Sequence, residues 1–125
     1  MVSFDEASAL LDEAANELPR EIYAKLNGGI SFIPDTKKNS VDPDGNLYIL
    51  GEYQVNSLGR TVVLFYGSFL AVYGETTTQR MKGLLGSTLK HELTHHWESL
   101  AGEKDLEIDD AIKIRNYFAR TKKQG

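Results

Sequence analysis

The segment HELTHHWESLAG, residues 91–102, holds all three histidines of a 125-residue chain: His91, His95 and His96. On an α-helix, residues i and i+4 project from one face about a turn apart. His91 and His95 can therefore aim ring nitrogens at one cation. Glu92 lies to the side of that face. A carboxylate there reaches a water held by the cation without binding the cation itself. This is what metal-assisted hydrolysis needs: zinc lowers the pKa of its water to about 7, and a base takes the proton as that water attacks a carbonyl.

A zinc ion that does chemistry takes three protein ligands and keeps one position open. No histidine remains downstream and the chain has no cysteine, so the third ligand must be a carboxylate. Glu98 sits seven residues after His91 on the same face, as a ligand, an acceptor for a ligand's ring or a plain surface charge. The following stretch, GEKDLEIDDAI, offers Asp105, Glu107, Asp109 and Asp110. His96 falls one residue round from His95, away from His91, and reads as a packing or supporting histidine. Imidazole and carboxylate also suit divalent ions other than zinc.

These residues need a helix to carry them. Met81, Leu85, Leu89, Leu93, Trp97 and Leu100 mark one apolar stripe opposite His91 and His95. Thr76 and Gln79 form a capping-box pattern at its start, and Gly102 suits its end. An earlier helix is expected from Ser3 and Glu6, another capping box, followed by Phe4, Ala7, Leu11, Ala14, Ala15 and Leu18 at helical spacing. Pro19 interrupts it and opens a second helical turn in PREIYAKL, which NGG at 27–29 stops. GISFI reads as a short strand, and PDTKKNSVDPDG as a surface loop. NLYILGEYQV and RTVVLFYG read as two strands of a hairpin joined by NSLG, the second buried on both faces. SFLAVYG is a short helix or a turn, and a last helix is expected at about 107–119.

Bulk properties fit one domain over 1–125. The chain is 41% hydrophobic and 26% charged. A net charge of -4 and a pI of about 5.3 argue against nucleic acid. No stretch approaches the roughly 20 apolar residues of a membrane span, and the N-terminus lacks the marks of a secretory signal. The expectation is a soluble cytoplasmic protein with no membrane partner.

The chain resembles the small bacterial zincin-type metallopeptidases, sometimes called minimal zincins. The resemblance runs over about residues 4–112, through LPREI, LGEY with its following apolar strand, HELTHHW and EIDDAI. The family pattern is HExxHxxGxxD, with both histidines and the aspartate on zinc. Carried over, it implies His91 and His95 as ligands and Glu92 as general base. The family glycine would fall at Glu98 and its aspartate at Ala101, so this chain carries an insertion. A literal Gly-x-x-Asp occurs at Gly102–Asp105. Alternatively, Ile108-Asp109-Asp110 matches the family's Ile-Asp-Asp run, making Asp110 the ligand with Glu107 in place of the glycine. A helix reaching Gly102 carries the chain roughly 6 Å farther out than the short motif. Three residues at roughly 3.3 Å each return from there only when nearly extended. The longer path to Asp110 is favoured.

The resemblance implies an α+β fold: a small mixed sheet of three or four strands, an N-terminal helix and a long metal helix. It implies a zinc-dependent, peptidase-like hydrolase acting on a peptide or protein. Zincins commonly take an extended peptide along a sheet edge by backbone pairing, and NLYILGEYQV is the candidate edge. Tyr66 and Tyr73 are candidates to lend a hydroxyl to an oxyanion. The rival reading is a zincin-shaped metal-binding protein that binds a partner without turnover, for which Glu92 would have little use.

Overall fold

A computed structural model describes residues 2–39, 47–103 and 114–117. Helix α1 spans Phe4–Asn16. It starts where Ser3 and Glu6 close a reciprocal cap: the Glu6 amide donates to Ser3 Oγ at 3.1 Å, and the Ser3 amide donates to Glu6 Oε1 at 3.3 Å. Pro19 then sits ahead of a single 3-10 turn, Arg20–Tyr23, shorter than the helix expected in PREIYAKL. The reversal comes before NGG. Lys25 takes a left-handed φ of 63°, and Gly29 follows at 70°.

Strand β1 is Gly29–Ile33. Two residues of the expected surface loop, Lys37–Lys38, form strand β2, paired antiparallel with β3, Tyr48–Ile49. Strands β4, Gly51–Asn56, and β5, Gly59–Phe65, form the expected hairpin. β5 runs parallel to β1, giving a mixed three-stranded sheet in the order β1-β5-β4. The central position of β5 explains its run of apolar residues: Val62, Val63, Leu64 and Phe65 are all buried. β4 is an edge of this sheet.

Helix α2 is Tyr66–Tyr73, and helix α3 is Thr78–Gly102. The cap of α3 is Thr77 rather than Thr76. Its hydroxyl accepts from the Arg80 amide at 3.1 Å, while the Thr76 hydroxyl is buried with no hydrogen-bond partner among the described residues. The six stripe residues from Met81 to Leu100 are all buried. They form one core with Val62 and Leu64 from the sheet and with Ala7, Leu11 and Ile22. α1 lies against α3, where a side chain at Gly86 would touch Ala14. Phe4 stacks on Phe32 at 5.1 Å and joins α1 to the sheet.

The architecture is therefore α+β, with small sheets, an N-terminal helix and one long helix bearing all three histidines. Residues 114–117 are helical and bury Ile114; the rest of the helix expected at 107–119 lies outside the described residues. No helix among the described residues is long and apolar enough to cross a membrane.

Candidate functional site

α3 sorts its histidines by face. His91 and His95 are exposed, one turn apart, with their Nε2 atoms 3.2 Å from each other and their rings nearly perpendicular. Glu98 Oε2 lies 3.8 Å from His95 Nδ1, the ring nitrogen turned away from His91. Glu98 thus faces the outer edge of the imidazole and not the point where the two Nε2 atoms meet.

Glu92 is buried, only 7% exposed. Burial holds its carboxyl above the ordinary carboxylate range; His91 and His95 oppose this, and Glu52 on β4 adds to it. A raised carboxyl beside two imidazoles is a group that can take and return a proton.

The strand reaches this carboxyl because Gly51 has no side chain. A Cβ there would lie 3.0 Å from Thr88 Cγ2 and 3.4 Å from Glu92 Cγ. Beside that contact runs an open groove of about 430 Å³, which His91 and Glu92 line together with Tyr48–Gly51 and Tyr73. Tyr73 is thus in reach of the site. Tyr66 is not: its hydroxyl donates to the Val2 carbonyl at 2.6 Å within the core.

His96 is fully buried and both its nitrogens are used. The Ala24 carbonyl, 2.8 Å from Nε2, can only accept, so Nε2 carries the proton. Nδ1 then accepts from the Tyr53 hydroxyl at 2.8 Å, and that oxygen accepts from Arg60 Nη1 at 2.9 Å. Arg60 also donates to Ser99 Oγ at 2.8 Å and pairs with Glu103. Burial keeps His96 below its ordinary pKa; the Ala24 bond opposes this and the Arg60 charge reinforces it. A neutral ring with both nitrogens bonded is not a ligand. It fastens α3 to β4 and to the turn before β1. Trp97 does likewise through Nε1, which donates to the Ile22 carbonyl at 2.8 Å. Sequence spacing puts His96 on the core side but does not find Tyr53 or Arg60, which lie far off along the chain.

Asp105, Glu107, Asp109 and Asp110 all lie outside the described residues. Among the described residues no group of three acidic, histidine or cysteine side chains is placed to hold a metal. The described site comprises two converging imidazoles, a neighbouring buried carboxyl and a groove beside an edge strand.

A solved structure shares this arrangement of elements. The chain is similar to a conserved hypothetical protein from Thermo thermophilus, with 31% identity and a TM-score of 0.71. The match covers 81% of this chain and 99% of that one. The chain belongs to the same family as that protein. No protein-family model matches the chain, and no curated protein does.

Proposed function

We propose that the protein is a zinc-dependent hydrolase of the minimal zincin type, cleaving peptide bonds. The observation that carries this reading is the 3.2 Å between His91 Nε2 and His95 Nε2. Two nitrogens on one tetrahedral zinc, each at about 2.0–2.1 Å, stand roughly 3.3 Å apart. That separation, at which one ring's Nε2–H can also donate to the other, is close to the one that a shared ion requires. The third ligand is Asp110, the nearer alternative being Asp105. Glu98, Glu107 and Asp109 are less suited: Glu98 faces the wrong nitrogen of His95, and the register of Ile108-Asp109-Asp110 puts the ligand last.

A zinc ion bound there supplies a Lewis acid and lowers the pKa of a water to about 7. The chain's own residues do the rest. Glu92 takes a proton on its carboxylate and delivers it to the leaving amine, a role its burial favours. β4 offers the unpaired edge of its sheet, so an extended peptide can pair with its backbone beside Glu92. His96, Tyr53 and Arg60 hold the helix at a fixed distance from that edge.

The test is cleavage of end-blocked peptides by zinc-loaded protein. The expected result is hydrolysis that stops with chelator, returns with zinc, and falls about 10²–10⁴-fold in Glu92→Gln. Zinc binding without cleavage of any peptide would support instead a metal-bearing domain that binds a partner without turnover.

A further inference from the structure

Ser87 stands on the exposed face of α3, one turn before His91, and borders a groove on each side. One is the groove that holds Glu92. The other, of about 550 Å³, runs between α3 and the end of α1. Leu18 and Tyr117 give it apolar surface, and Gly83 and Gly86 put no side chain into it. Its charges do not balance. Lys82 and Lys90 both line it, against the single carboxylate of Glu17. That carboxylate pairs with Lys82, which also lies 3.7 Å from Glu13. Lys90 is half-buried and forms no ion pair among the described residues. Its neighbours on the helix surface are Gly86, four residues back, and the Ser87 hydroxyl, three residues back. The groove thus combines one uncompensated ammonium and a hydroxyl with apolar walls.

We infer that this groove binds a carboxylate attached to an apolar residue, and that the carboxylate belongs to the peptide substrate. The second half rests on the hydrolase reading. A carboxylate accepts a charge-assisted hydrogen bond from Lys90 and brings the one negative charge that the groove lacks. A phosphate dianion brings one too many beside Glu17 and Glu13. A lysine or arginine side chain meets Lys90 as a like charge. Lys90 and Glu92 flank His91 on opposite sides of a helix that is about 10–12 Å wide. At roughly 3.3 Å per residue, a peptide crossing that helix carries its carboxylate about three residues from the attacked carbonyl.

Two measurements test this. In the first, metal-free protein is titrated with N-acetyl-leucine, with N-acetyl-leucinamide and with inorganic phosphate while backbone amide resonances are followed. N-acetyl-leucine alone should shift Gly83, Gly86 and Ser87, and Lys90→Gln should abolish those shifts. Equal shifts from the acid and its amide would overturn the inference. So would stronger shifts from phosphate, or shifts that persist in Lys90→Gln. In the second, zinc-loaded protein cleaves end-blocked peptides that carry one aspartate, or one asparagine, at successive positions on either side of the cut. Aspartate should be preferred about fivefold at one position about three residues away, and Lys90→Gln should bring that ratio to about one. Cleavage with no aspartate preference at any position would overturn the assignment of the groove to the substrate. Selective N-acetyl-leucine shifts without cleavage of any peptide would defeat the hydrolase reading and leave the carboxylate site standing.

Discussion

The hydroxyl of Tyr53 on β4 lies 2.8 Å from Nδ1 of His96 on α3, one residue beyond His95. Two residues earlier on the same face of the strand, Gly51 lies against Thr88 and Glu92. A strand advances about 6.8 Å over two residues and a helix about 6 Å over four. Strand and helix therefore stay in step, with Gly51 opposite Glu92 and Tyr53 opposite His96. Arg60 extends the seam to Ser99 and Glu103. The edge strand and the histidine-bearing helix are joined as one piece.

Tyr53→Phe keeps the ring but removes the oxygen that serves both His96 and Arg60. His96 Nδ1 is left buried without its donor. Urea denaturation of the metal-free protein should show a loss of about 1–3 kcal/mol. A loss below a few tenths would mean that the hydroxyl bears no part of the seam.

Gly51→Ala inserts a methyl 3.0 Å from Thr88 Cγ2 and 3.2 Å from the Val63 carbonyl oxygen. The expected cost is about 1–3 kcal/mol, as for other overpacked contacts. Thr88→Ser removes the opposing methyl, so the double variant should recover part of that loss. A double-mutant cycle in denaturant measures the coupling. Strictly additive losses would place the clash elsewhere.

Tyr23 gives a pH dependence on the alkaline side. Its hydroxyl donates to the Ala15 carbonyl at 2.7 Å. Burial, reinforced by Tyr117, pushes its pKa from 10.0 up to about 12. The unfolded chain thus ionises this phenol first as pH rises. The stability it contributes is complete below pH 10 and is lost as pH rises from there to about 12. Denaturation curves from about pH 9 to about pH 12 should show a steeper decline in the wild type than in Tyr23→Phe. Parallel declines would assign the alkaline loss to other groups.

The elements legible in sequence are those with local causes. The Ser3–Glu6 cap, the stripe from Met81 to Leu100 and the apolar run of β5 each follow from neighbours a few residues apart. The cap of α3 falls one residue beyond the position that the pattern favours, because Thr76 and Thr77 both precede a suitable turn and Gln79 points to the wrong one. The β2–β3 pairing sits inside a turn-rich segment, where two-residue strands leave no alternation to read. In the site, HExxH spacing fixes which side chains share a face of α3. It holds no information on Tyr53 and Ala24, 43 and 72 residues from His96, which the fold alone brings together.

In the proposed zinc site, His91 and His95 share one ion with a returning carboxylate. Zinc titration of protein purified without chelators, followed by metal analysis after dialysis, tests it most directly. One zinc per chain is expected in the wild type and in Glu92→Gln. Binding should be sharply weakened in His91→Ala, His95→Ala and Asp110→Ala, and near normal in Asp105→Ala. A wild-type protein that retains no zinc, or one that retains it at full affinity without either histidine, would rule the proposed site out.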